Sequence, residues 1–249
     1  MHLRTVVRDC LYVNWALPEA RLPELPEALR YELHSIGSRR FGFVSAILFR
    51  QTSLRLRDLP WPRVAHPQLN VRFYVVDGEG VPSVLFAAML VPGWVVPLAQ
   101  AAGQAGLRQG RFDYPRPSRD PEAESWVWRA RAADGRLRLR ACPGTPSVGF
   151  GPDLGSWQRT CDYFRRRDRG YQLVSGHLVR TETCHGVTTL WPAQVEARED
   201  TLLRRLVPTS GEQPWPEVHS SWLCPEMPLD FELCGADRGA LPRRVPAPG

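Results

Sequence analysis

The stretch Pro67-Gln68-Leu69-Asn70-Val71-Arg72-Phe73-Tyr74-Val75 alternates apolar and polar side chains, the period of a β-strand whose successive residues point to opposite faces. Leu69, Val71, Phe73 and Val75 share one face, while Asn70, Arg72, Tyr74 and Val76 share the other. If the apolar face packs against helices, Asn70, Arg72 and Tyr74 turn toward the interior. An inward arginine has to be paired or has to meet an anionic ligand, because an isolated buried charge is too costly to leave alone. A fixed guanidinium beside an amide donor then makes a carboxylate clamp. The same pattern is compatible with a sheet curled the other way, with Arg72 in solvent or satisfied by an internal acid.

Outward from this strand the period-two patterning continues. Residues 69–76 and 81–90 flank Asp77-Gly78-Glu79-Gly80, a hairpin signal because Asp and Gly tolerate the positive φ of tight turns. Residues 124–132 and 136–142 form a second hairpin around Asp134-Gly135, with Leu137 and Leu139 facing one way and Arg136, Arg138 and Arg140 the other, so that sheet is wet on one side. A first strand over residues 5–17 stops at Pro18, and residues 18–26 suit a short helix and a turn. Residues 29–36 and 40–50 read as a hairpin around Gly37-Ser38, followed by a strand over 52–57 and a proline-rich loop over 58–67. Helices are expected near 94–104, 154–164 and 200–206, and strands over 177–184, 218–223 and 229–233. From Gly235 onward Pro, Arg, Ala and Gly predominate, so residues 235–249 read as a disordered tail behind a single domain over 1–234. The class is mainly β (α+β): a closed or half-closed antiparallel sheet with a few short helices, whose lumen can host a ligand.

Composition excludes more than it proposes. The chain has 249 residues, 43% hydrophobic and 23% charged, with 32 basic residues against 26 acidic. Every basic residue is Arg, which removes a lysine Schiff base, a pyridoxal-phosphate anchor and the P-loop lysine together. The net charge of +6 is spread along the chain, and no nucleic-acid partner is expected. The run Arg165-Arg166-Arg167-Asp168-Arg169 reads as a solvated turn. Cysteines at 10, 142, 161, 184, 224 and 234 form no Cys-x-x-Cys pair, and adjacent Cys184 and His185 would face opposite ways on a strand. No metal site is expected, and the cysteines read as small buried hydrophobes in a reducing cytoplasm. The glycine-rich stretch 143–155 lacks the spacing of a phosphate loop, and no cofactor is expected. The longest apolar run, 84–99, is broken by Pro92, Gly93 and Pro97 and falls short of the roughly 20 residues that span a bilayer, so no membrane segment is expected. Nor do residues 1–15 carry the apolar core of a signal peptide.

Asn14-Trp15 after an apolar strand, the segment 41–49, the run 67–75, the strand 82–90 and Trp191-Pro192-Ala193-Gln194 together resemble an uncharacterised conserved bacterial family similar to the acetoacetate decarboxylase superfamily. The resemblance is discontinuous over residues 8–234 and implies a cone-shaped antiparallel β-barrel with flanking helices and an internal pocket. In decarboxylases of that superfamily the pocket holds a Schiff-base lysine, its pKa lowered by burial and a neighbouring cation. Here no lysine exists, and the N-terminal amine is the remaining primary amine. The chain departs from its relatives at Asn14, where a histidine is expected, and at Gln68, where an acid is expected. A Glu-Arg-Tyr sequence of the relatives falls on Gln158-Arg159-Thr160 or on Thr160-Cys161-Asp162, and a paired-histidine segment is reduced to Cys184-His185.

Asn70, Arg72 and Tyr74 are therefore the candidate ligand-binding residues, with Asp162, Glu182 and His185 as candidate proton carriers. Glu182 and His185 fall on opposite faces of one strand, so without a bulge only one of them points inward. Nine tryptophans, Trp126 and Trp128 on one strand face among them, could line or fill the barrel. Three readings follow: a cytoplasmic protein binding a small, carboxylate-bearing metabolite, alone or as a homo-oligomer; a lysine-independent acid-base enzyme of lyase or hydrolase type; and a structural or protein-interaction role with a filled lumen.

Overall fold

The computed structural model describes residues 1–120, 123–146, 154–186, 188–207 and 215–236. Five long strands form a wall in the order β6 (Pro82–Pro92), β5 (Val64–Asp77), β4 (Arg39–Leu56), β1 (His2–Pro18) and β13 (Val218–Ala236), each antiparallel to its neighbour. Two short strands trim it: β2 (Leu29–Tyr31) pairs with the end of β5, and β3 (His34–Ile36) with the start of β4.

Two arcs close the wall into rings. On one side β10 (Arg169–Val174) pairs with Val84, Leu85 and Phe86 of β6, β11 (His177–His185) pairs with the second half of β13, and β10 pairs with β11. On the other side β7 (Leu107–Asp113), β8 (Trp126–Ala132), β9 (Gly135–Pro143) and β12 (Trp191–Glu199) run from the last residues of β6 back to Trp222 and Leu223 of β13. Helices α1 (Val95–Ala101), α2 (Trp157–Arg165) and α3 (Thr201–Leu206) fill in around them. No helix among the described residues is long and apolar enough to cross a membrane.

The wall has two different faces because β5 alternates as its sequence does. Leu69, Val71, Phe73 and Val75 join one core with Trp126, Trp128, Leu137 and Leu139 of the second arc and Leu202, Leu203 and Leu206 of α3. Tyr74 belongs to a second core with Cys10, Tyr12, Ile47, Phe49 and, from α2, Cys161 and Phe164. The apolar face thus packs mainly on strands, not on helices as the sequence suggested; the outcome for Asn70, Arg72 and Tyr74 is the same. Within β1 the alternation is reset at Asp9, which takes φ 50° where the register shifts, so that Val7 and then Cys10 and Tyr12 face the same side.

Several local expectations change. The sheet is not antiparallel throughout: β6 runs parallel to both β7 and β10. β4 is one strand through residues 39–56 with a register irregularity after Gln51, whereas 29–36 divides into β2 and β3. β5 starts at Val64 and carries Pro67 within it, and β13 joins the two closing strands and runs to Ala236. The arginine run is no solvated turn. Arg165 pairs with Asp162, Arg167 with Glu32 at 2.9 Å, and Arg169 with Asp77 and Glu79 at 2.7 Å each, leaving Arg166 as the exposed member. The run leaves α2 and enters β10, so Arg165 and Arg166 turn back to Asp162 on α2 while Arg167 and Arg169 reach acids distant in the chain. Cys10, Cys161 and Cys224 are buried, but Cys184 is exposed. The glycine-rich segment 147–153 and the tail 237–249 lie outside the described residues.

Candidate functional site

A cavity of about 680 Å³ opens on the α2 side of the wall. Its lining follows alternation strand by strand: Cys10 and Tyr12 from β1; Val64, His66, Gln68, Asn70 and Arg72 from β5; Thr181, Thr183 and His185 from β11; Met227, Leu229 and Phe231 from β13. Only one tryptophan, Trp61, lines it; Trp15, Trp126, Trp128 and Trp215 sit in the core on the opposite face, and Trp222 packs on Tyr12. The indoles leave the cavity open.

Arg72 lies at its inner end, 5% exposed. Its Nε and Nη2 donate to the Tyr74 hydroxyl at 3.3 and 3.2 Å, and Nη2 donates to the Phe164 carbonyl at 2.5 Å. Phe164 is in the last turn of α2, where carbonyls lack helical partners and the helix end carries partial negative charge, so α2 compensates part of the cation. The rings of Tyr12 and Tyr74, with centroids 5.8 and 5.4 Å from the guanidinium carbon, add cation–π attraction. No carboxylate pairs with Arg72 among the described residues, and its Nη1 donates to none of them.

Tyr74 is held beneath rather than in the cavity. Its hydroxyl lies 2.8 Å from Ser45 Oγ and 3.2 Å from the Phe164 carbonyl; Ser45 in turn donates to Asn14 Oδ1, and the Asn14 amide donates to Ser220 Oγ at 3.0 Å. Asn14, where relatives are expected to carry histidine, thus knits β1, β4 and β13 behind the site.

A second chain of amides ends beside Arg72. Gln51 Nε2 donates to Gln68 Oε1 at 2.7 Å, and Gln68 Nε2 donates to Asn70 Oδ1 at 2.8 Å. With its oxygen used in this way, Asn70 has its amide hydrogens left for a ligand.

The three candidate proton carriers separate. Asp162 sits on the surface of α2, paired with Arg165 and Arg166. Glu182 faces outward from β11 and meets Arg180, while His185 on the opposite face lines the cavity, as strand alternation requires. Burial, with the Arg72 charge second, pushes the His185 imidazole down from 6.5 to about 4, so it is neutral at neutral pH. Its Nδ1 is 3.7 Å from Asp168, beyond hydrogen-bonding distance. Burial likewise pushes the Cys10 thiol and the Tyr12 phenol up, keeping both protonated. The N-terminal amine donates to the Leu233 carbonyl at 3.1 Å on the exposed side, and Met1 lines the cavity at that outer end. Among the described residues no three His, Cys, Asp or Glu side chains are placed to hold a metal ion. Sequence reasoning missed Gln51 and the α2 carbonyl that Arg72 uses. Tyr12 was legible, being two residues before Asn14 on the same strand face.

A family model described as uncharacterized conserved protein (COG2071), the DUF2071 family, matches residues 4–222. The chain belongs to the DUF2071 family. Comparison with curated proteins finds no match. Among solved structures, this DUF2071 chain is similar to an acetoacetate decarboxylase-like enzyme from Sphingomonas wittichii RW1, with 14% sequence identity, a TM-score of 0.52, and coverage of 94% of this chain and 91% of that one. That likeness gives this DUF2071 protein an acetoacetate-decarboxylase-like fold; the absence of lysine separates it from Schiff-base chemistry on a side chain.

Proposed function

We propose that the chain binds a small carboxylate-bearing molecule in the cavity, its head group received by Arg72 Nη1 and the Asn70 amide. The observation that carries this reading is a buried guanidinium on the cavity wall with no carboxylate partner among the described residues. A buried cation costs several kcal/mol, and an anion delivered to it recovers part of that cost. Among the described residues no Asp or Glu lines the cavity to repel an anionic guest. Cysteines without disulfides support placing the protein in the reducing cytoplasm.

The test is calorimetric titration and thermal stabilisation with monocarboxylates on the wild-type protein and on Arg72→Met, with folding of the variant checked by circular dichroism. Removing one member of a buried charge pair costs about 2–5 kcal/mol, so binding should weaken roughly thirtyfold or more. Equal affinity in the two proteins would remove Arg72 as the anchor.

A second reading, acid-base catalysis on the same guest, is favoured by His185, the one candidate proton carrier on the cavity wall, whose neutral imidazole can accept a proton. It requires turnover that His185→Gln abolishes while binding is retained. Turnover unaffected by that substitution would discard it.

A further inference from the structure

We infer that the guest is a long-chain amphipathic monoanion, with its carboxylate at Arg72 and a hydrocarbon chain running parallel to β5, against the apolar side chains of β1, β4 and β13, to the mouth; this rests on the reading of Arg72 given above. Three independent features lead there.

The first is length. Val64, His66, Gln68, Asn70 and Arg72 are alternate residues of one strand and all line the same cavity. At about 3.3 Å per residue they span roughly 26 Å. One leaflet of a bilayer, half of a hydrocarbon core of about 30 Å, is shorter than that. A short keto or hydroxy acid at Arg72 would leave most of the 680 Å³ empty.

The second is the chemistry of the wall. Val7, Ile47, Phe49, Met89, Met227 and Leu229 make it apolar, and the two methionines adapt to irregular chains. Among the described residues its one buried cation without an acid is Arg72. Arg167 is paired with Glu32, and Arg55 donates to the carbonyls of Leu56, Arg57 and Leu59. Burial lowers the pKa of His66 as it does that of His185, so both rings are neutral. One buried cation without an acid calls for one negative charge at the inner end, the Arg55 guanidinium and the N-terminal amine lying at the mouth.

The third is the mouth. Met1, Leu56, Leu59, Trp61 and Leu98 are all exposed, Trp61 by 79% and Leu98 by 55%, and all five line this cavity. Large exposed hydrophobics gathered at one opening mark a place where an apolar group passes or rests. Arg55, by tying down the carbonyls of residues 56–59, fixes this rim.

The experiment titrates wild-type protein with straight-chain carboxylates from acetate to laurate, each below its micelle concentration, and with the primary alcohols of the same lengths. Affinity should tighten by roughly fourfold per added methylene until the channel is filled. Each alcohol should bind at least tenfold more weakly than its acid. Met227→Trp, which fills the mid-depth of the channel, should bring laurate down to the affinity of butyrate and leave butyrate unchanged. Acetate binding as tightly as laurate, both lost in Arg72→Met, would overturn the long-chain inference and leave the carboxylate reading standing. Laurate unaffected by Met227→Trp would also overturn it, because the chain would lie elsewhere. Alcohols matching their acids, with Arg72→Met indifferent, would overturn the carboxylate reading itself.

Discussion

Arg72 is compensated without an acid, by a helix-end carbonyl, a phenol and two aromatic faces, and that arrangement leaves one edge of its guanidinium for a guest. Its neighbours in the cavity are neutral for the same reason that Arg72 is unusual: burial disfavours charge. His185 on the cavity wall, and His219, which packs on Phe43 and Phe164 outside it, are both pushed by burial from 6.5 to about 4. A depressed histidine pKa means that the unfolded chain takes up the proton first. The stability these rings contribute is therefore complete above pH 6.5 and is lost as pH falls toward 4, at about 1.4 kcal/mol per pH unit for each ring. The urea midpoint should be lower at pH 5 than at pH 7, and His185→Gln should shrink the difference; an unchanged difference in that variant would contradict the neutral assignment. Period-two alternation made the inward set of Asn70, Arg72 and Tyr74, and the opposition of Glu182 and His185, legible in the sequence. It could not separate Arg72, on the cavity wall, from Tyr74 beneath it, because that depends on where the last turn of α2 places the Phe164 carbonyl, ninety residues from Tyr74 in the chain. Nor could local charge density reveal that Arg167 and Arg169 find acids far away in the chain.

At the scale of elements, the β5–β6 hairpin is fastened at its turn. Asp77 Oδ1 accepts from the amides of Glu79 and Val81 at 3.0 and 2.9 Å, while Oδ2 accepts from Arg169 at 2.7 Å and Tyr171 at 2.9 Å on β10. One buried carboxylate thus sets a turn and pins the parallel neighbour of β6. Asp77→Ala should lower stability by about 2 kcal/mol or more, seen as a shifted denaturant midpoint, since it orphans several donors at once; a shift below about 0.5 kcal/mol would show the turn to be set otherwise. The hairpin of β8 and β9 has its own constraint. A Cβ at Gly135, φ 152°, would lie 2.8 Å from the Leu202 backbone nitrogen, so Gly135→Ala must push α3 off the hairpin and should also destabilise the fold. Both hairpins were legible because a tight turn announces itself in Asp and Gly. β7 and β12 were not, since a strand whose partner lies farther along the chain need carry no turn signal, whereas β10 does carry one, the positive-φ Ser175-Gly176 turn that joins it to β11.

For the whole molecule, closure is the decisive step. β13 completes both rings, pairing with β1, β11 and β12, and Leu3 faces Phe231 while Cys10 faces Cys224. Contacts so distant along the chain make folding slow. A chain lacking residues 218–236 should fail to give the cooperative thermal transition of the intact protein, and a sharp transition in the truncated chain would refute the role assigned to β13. During synthesis, moreover, β1 is exposed early and meets this partner only after more than two hundred further residues have been added. Until then it presents an open strand edge able to pair with another nascent chain. Sheltering by a chaperone, or slow expression at low temperature, should therefore decide how much of this protein a cell recovers in usable form.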